Sequence, residues 1–350
     1  MGKLHIANTF FEWELENARS VSLREAFLQH PIFLQLQFLP VVYGGAEDAM
    51  LISDEPGQEY WNALNVKPPS RFTLEEYPKD LEIESWGPSQ LIASWAKSRG
   101  LNYFIPPWEV VKEVNSKRFS FEHTPKLPGA EILFNESQAK QWLESFPGSK
   151  VLKTCYGVSG KGHFIIENEG WERISAFLQG EWEKNLPVIA EPWVDRILDF
   201  STQWLIDRNG QVSYVGSTIC KNDRRGQYQH NEVGDEKTLF GDKLSYLAEH
   251  RQKAEPILHI IASKGFFGNV GIDAMLYGHS NNTHLQPIVE INARKTMGWA
   301  AIAFQKRHFP KNKIRFRFVQ GEQGFLPKFL VLKPAKKVTF QRNLLIEVNN

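Results

Sequence analysis

Two apolar stretches, Asn269–Leu276 and His284–Ile291, stand on either side of the turn-forming segment HSNNT. Apolar runs of this length, separated by small polar residues, predict an antiparallel hairpin. These strands are not wholly apolar, and that constrains the fold most. Asp273 interrupts the first, and Glu290 and Asn292 lie at the end of the second. Positions two apart on a strand share a face, so Glu290 and Asn292 point the same way and Arg294 continues their line. Acids embedded in apolar strands are costly unless a cation meets them. If the register sets Asp273 alongside, three oxygen donors converge. That set suits Mg²⁺, which takes few protein ligands and completes its shell with water and phosphate. Arg294 is placed to hold a phosphate or a substrate carboxylate in its fork. The competing reading is an Asp–Arg–Glu salt-bridge cluster with no metal.

Upstream, KTCYGVSGKGHF (Lys153–Phe164) puts Gly157, Gly160 and Gly162, with Ser159 and Lys161, between two predicted strands. Glycines let a hairpin loop fold tightly and present backbone N–H groups to phosphate. Lys153, on the strand before, would add a fixed positive charge. The spacing is not that of a Walker A loop, and no helix follows as a dinucleotide fingerprint requires. Taken alone, the segment also reads as a plain glycine-rich turn.

The third segment is IAEPWVDRILDF. Glu191 closes an apolar strand and Pro192 follows, so a break is expected there. A connector at such a break can offer backbone groups to a flat heterocycle. Asp199, eight residues on, can accept from hydroxyl groups. Two acids on two surface turns are the alternative.

The remaining sequence frames these segments. With 350 residues, two or three lobes are expected. A net charge of +1 gives no argument for nucleic acid or an anionic membrane. Cys155 and Cys220 are the only cysteines and no zinc spacing exists, so a reducing, cytoplasmic setting is expected. No apolar run has the length of a signal or a membrane span. Residues 1–115 read as an α/β layer: a strand at Leu4–Ala7, a helix over 14–30, a strand over Ile32–Tyr43, a loop-containing stretch at 47–85, a helix over 88–99 and a strand at Asn102–Ile105. Residues 116–200 carry a short helix over Ser116–Glu122, the glycine loop and the break. In 201–310, Asn209-Gly210 predicts a tight reversal, 219–236 predicts a mobile polar loop and 242–263 a long helix. Residues 311–350 hold nine Lys or Arg against Glu322 and Glu347. The alternation in KIRFRF reads as an edge strand, with binding of a polyanion as the alternative.

A lysine on a strand, a glycine loop, an E-x-W-V connector with an acid eight residues later, then Asp on one strand and E-x-N-x-R on the next occur here in order. That order resembles the ATP-grasp superfamily and covers roughly residues 115–305. The resemblance implies an α/β fold, α+β in the ATP-binding lobes, behind a Rossmann-like preceding domain at 1–115. The small lobe would occupy 116–200 and the large lobe 201–310, with terminal strands at 311–350. It implies that Lys117 and Lys153 contact ATP and that Gly157, Ser159, Gly160 and Gly162 close over its phosphates. Glu191, Trp193 and Val194 would hold adenine and Asp199 the ribose. Asp273, Glu290 and Asn292 would hold two Mg²⁺ ions, with Arg294 and Lys153 catalytic. The implied activity joins a carboxylate to an amine through an acylphosphate. Lys221, Arg224, Arg225, Tyr228 and His230 are candidates for a loop closing over the acceptor. A kinase on the same fold, or a module that binds ATP without turnover, are the alternatives. Expected partners are ATP and the two small substrates, without nucleic acid or membrane; a homodimer stays open.

Overall fold

The computed structural model describes all residues except 1, 18–20, 158–161, 224–225, 227, 280–281, 322–323, 334–335 and 350. Its first sheet is parallel, from β1 (Lys3–Ile6), β2 (Ala49–Ile52), β3 (Ser70–Thr73) and β4 (Glu82–Ser85), in the order β3-β2-β1-β4. Parallel strands need crossovers and covered faces, and the inner strand β2 (AMLI) is correspondingly apolar and buried at every position.

The second sheet is antiparallel: β5 (Glu131–Leu133), β6 (Lys150–Lys153), β7 (His163–Ile166) and β8 (Val188–Pro192), in the order β5-β8-β6-β7. Helices Glu136–Ser145 and Trp171–Trp182 cover it, and Trp142 and Leu178 fill the layer between. The third sheet is also antiparallel. It takes β9 (Asp195–Ile206), β10 (Val212–Asn222), β11 (Tyr228–Val233), β12 (Gly268–His279), β13 (Asn282–Asn292) and β14 (Lys313–Gln320). A small hairpin of β15 (Phe329–Leu332) and β16 (Lys336–Thr339) intervenes before β17 (Arg342–Asn349) joins the same sheet. The order is β13-β12-β9-β10-β11-β14-β17. Helix Leu244–Ser263 packs its apolar side on β9, β12 and β13. Helix Met297–His308 crosses to the first sheet's core, where Phe304 lies with Phe38, Leu326 and Leu344. Among the described residues no helix is long and apolar enough to cross a membrane.

Several elements depart from the sequence reading. Ile32–Tyr43 is two short helices, Pro31–Leu36 and Pro40–Tyr43, not a strand. Each has proline at its first turn, where the fixed φ suits a helix, and His30 Nδ1 accepts from Ile32 N at 3.1 Å. Val41, Val42 and Tyr43 are all buried, so the second helix lacks the polar face that would have betrayed it. The 14–30 region gives helices Phe11–Glu16 and Leu23–Leu28, the latter closed by a Ser22/Glu25 capping box. Residues 47–85 supply three strands of the parallel sheet, each four residues long. Residues 102–105 form no strand; Tyr103 instead donates to Ser85 Oγ at 2.6 Å. The break at Pro192 falls after it, since β8 includes Pro192. The polar segment 219–236 is largely β10 and β11, where Asn231 donates to Thr218 Oγ1 and Glu232 pairs with Lys313. Part of its polarity is thus met by partners inside the sheet rather than by water.

Candidate active site

Three elements bring lysines and acids to one narrow crevice, lined among others by Lys117, Lys153, Ile189, Glu191, Phe121 and Val289. Lys117 opens helix Lys117–His123, whose N-cap Ser116 accepts from Arg118 N. Its backbone N donates to Cys155 O at 2.8 Å, which fixes the helix start beside the glycine loop. Its ammonium then spans the crevice, donating to Gly157 O at 3.1 Å and lying 2.8 Å from Glu290 Oε1.

Lys153 ends β6 and Glu191 lies near the end of β8. The two strands are paired, with Lys153 opposite Ile189, and the Lys153 ammonium meets Glu191 Oε2 at 2.5 Å. Trp193 and Val194 form the connector from β8 to β9. Trp193 N donates to Ser149 O at 2.8 Å, and the Arg196 guanidinium lies 5.0 Å from its ring centre. Gly157 and Gly162 both have positive φ, 126° and 88°, a region only glycine enters freely. Ser159, Gly160 and Lys161 of the loop lie outside the described residues.

Asp273 pairs with Glu290 across β12 and β13 and with Ser201 across β12 and β9. A slip of one residue would turn these side chains to the other face. Asn292 Nδ2 donates to Asp273 Oδ2 at 3.2 Å. Burial, and then the Glu290 charge, push the Asp273 carboxyl up to about 6. Burial would push Glu290 the same way, but the Lys117 charge and hydrogen bond overturn that and hold it below the usual range. Two close carboxylates that cannot both ionise comfortably mark a place short of positive charge. Among the described residues no three His, Cys, Asp or Glu side chains form a metal cage. Two carboxylates with one amide nevertheless have the donor chemistry that Mg²⁺ takes, which needs no such cage.

Asp199 lies on β9 opposite Met275 and Cys220. It accepts from Asn222 Nδ2 at 2.9 Å and pairs with Arg196 at 3.3 Å. Arg294 is less free than its sequence position suggests. It pairs with Glu12 and donates to Asn292 Oδ1 at 3.0 Å and Lys295 O at 2.9 Å. Glu12 comes from helix Phe11–Glu16, more than 250 residues away in the chain, and no spacing pattern could have paired it with Arg294. His163, opposite Lys153 on β7, is pushed down to about 3 by burial and by the Lys153 and Lys117 charges. It is therefore neutral at ordinary pH. Among the described residues of 219–236, most lie in β10 and β11 rather than in a loop. Lys221 and His230 are paired strand positions, Tyr228 donates to Phe316 O at 3.0 Å, and Arg224 and Arg225 lie outside the described residues.

Comparison with known proteins places this geometry. No family model matches the chain. A curated ligase of Niallia circulans, "[Butirosin acyl-carrier protein]--L-glutamate ligase", is 25% identical over 295 residues, covering 79% of this chain and 67% of that protein. Among solved structures, phosphoribosylamine–glycine ligase of Thermotoga maritima superposes with a TM-score of 0.56 at 14% identity, over 99% of this chain and 92% of that one. N5-carboxyaminoimidazole ribonucleotide synthetase of Thermus thermophilus gives 0.52 at 12% identity, over 92% and 84%. These structural likenesses fix the fold.

Proposed function

We propose that this chain, an ATP-grasp protein by its fold, is an ATP-dependent ligase that joins a carboxylate to an amine through an acylphosphate. The observation that carries this reading is the Lys117 ammonium, which touches the glycine loop at Gly157 and the acidic hairpin at Glu290 together. A triphosphate lying in that crevice would meet Lys117, Lys153 and the loop's N–H groups on one side and the acids on the other. Glu191, with Trp193 and Val194, takes adenine in this reading, and Asp199, steadied by Asn222, takes the ribose. Asp273, Glu290 and Asn292 would hold Mg²⁺, which would supply positive charge to offset that of the phosphates. We also take 1–115, 116–200, 201–310 and 311–350 as the structural units.

The chemistry asked of the chain is mainly positioning and charge neutralisation. A substrate carboxylate oxygen attacks the γ-phosphorus and ADP leaves. The amine nitrogen then attacks the acyl carbon, the C–O bond to phosphate breaks, and the nitrogen gives up a proton. Lys153 neutralises phosphate charge during the first step. Arg294 orients the attacking carboxylate, for which its partner Glu12 must yield. His163, being neutral, can donate one N–H to a phosphate oxygen without adding charge. The name of the curated relative puts L-glutamate and an acyl-carrier protein first among substrates to try.

The test is a phosphate-release assay with Mg-ATP over pooled carboxylic acids, amino acids and carrier proteins, with Glu290→Gln as control. Phosphate release that needs both an acid and an amine, and that disappears in the variant, supports the ligase. Transfer of phosphate to a hydroxyl substrate would instead indicate a kinase.

A further inference from the structure

A large cavity lies away from the crevice. It has a volume of about 740 Å³ and sits between helix Gln58–Asn62 of the first unit and the β14–β17 end of the third sheet. Its lining is dominated by Tyr60, Leu64, Phe304, Phe309, Phe325 and Ile346. From β12, which carries Asp273, to β14 is four strand spacings in the sheet order, roughly 19 Å. It is therefore a separate place from the nucleotide crevice.

Three polar side chains from other elements hold one wall, residues 324–327, in place. Tyr60 OH donates to Phe325 O at 2.8 Å. Asn343, almost fully buried, accepts from Leu326 N at 2.9 Å and donates to Leu326 O at 2.8 Å. Gln35, equally buried, donates to Pro327 O at 3.2 Å. Protein interiors otherwise close on voids of this size, so a wall pinned at three successive residues marks a cavity built to stay open. Its volume and apolar lining at a junction between units are those of a small-molecule site.

The mouth supplies the rest of the recognition. Lys328 belongs to the lining, and the exposed Lys337 of β16 holds its ammonium 4.3 Å from the centre of the lining Phe329 ring. Glu59 and Asn65, from the first unit, are the other charged and amide residues of the lining. Charge is thus cationic at the hairpin end and absent from the interior. We propose that this cavity binds an amphiphile with an apolar body and a single anionic head, the head lying at the Lys328/Lys337 rim. The proposal does not depend on the ligase reading, and its test uses no ATP.

The whole chain is titrated with 8-anilinonaphthalene-1-sulfonate, an aryl anion of this class. The bound probe is then displaced by dodecanoate, dodecyl phosphate, dodecanol or dodecyltrimethylammonium. One saturable site is expected, with both anions displacing at least tenfold better than the alcohol and the cation. The order of the two anions tells carboxylate from phosphate as the preferred head. Ala63→Trp, at an exposed lining position, fills the mouth and should weaken dodecanoate tenfold or more. Val348→Trp, at the exposed edge, does the same from the other side. Lys337→Glu should weaken the anions severalfold and leave dodecanol unchanged. Melting curves matching the parent chain would show that these variants fold. Undiminished displacement in both tryptophan variants overturns the site, and equal affinity for dodecanol overturns the charged rim.

Discussion

At the scale of single residues, Asp273 is an acid held away from its ordinary behaviour. Its carboxyl is pushed up to about 6 by burial and by Glu290, well above the ordinary value near ~3.9. A raised acid binds its proton more tightly folded than unfolded. Its ionisation therefore works against the fold at high pH, and that cost fades as pH falls from about 6 towards ~4. Asp273→Asn removes the charge. In metal-free buffer the variant should melt above the parent at pH 8, and the gap should close below pH ~4. A melting series against pH checks this. A gap that widens on acidification would mean that Asp273 is held ionised.

At the scale of elements, the β6–β7 hairpin owes its turn to glycine. Gly162 has φ of 88°, and a Cβ there would lie 2.3 Å from Thr154 Oγ1. Gly162→Ala should destabilise the chain by about 1–3 kcal/mol and loosen ATP, as read by denaturant melting and nucleotide titration. This element was legible in the sequence because glycine spacing reports backbone need directly. So was the β12–β13 pairing, where the embedded acids marked the shared face; Ser280 and Asn281 of the expected HSNNT turn lie outside the described residues. The helices at Pro31–Leu36 and Pro40–Tyr43 were not, because an element covered on nearly all sides has no periodicity to read. Nor was the 228–233 strand, since its polar side chains find partners only after β10 and β14 have come together. In the site, lysines and acids within single strands could be found from spacing. The partners Glu12 and Asn222 could not, because only tertiary packing brings them in.

At the scale of the whole molecule, the first unit grips the site through two consecutive residues beyond β13. Arg294 pairs with Glu12 and Lys295 with Glu84. Lys295 is completely buried and lies 4.8 Å from the Trp299 ring centre. Burial would raise the Glu84 carboxyl, yet the charges of Lys295, His5 and Lys3 hold it down at about 2. Lys295→Met alone leaves Glu84 only the half-exposed Lys3 as an ion-pair partner and should cost about 1–3 kcal/mol. Adding Glu84→Gln should recover part of the loss in the same melting experiment. No recovery would mean that the lysine acts through packing rather than charge.

Lys117 and Lys153 of the crevice are already spoken for, Lys117 by Glu290 and Lys153 by Glu191. On the proposed reading, an arriving triphosphate would be a rival suitor: it would take two cations from their glutamates and leave those acids bereft. A divalent ion brought along with it would console Glu290, so nucleotide and magnesium should load as one package. Calorimetry should find ATP in chelator weaker than Mg-ATP by on the order of tenfold. Equal affinities would mean that the old couples never part.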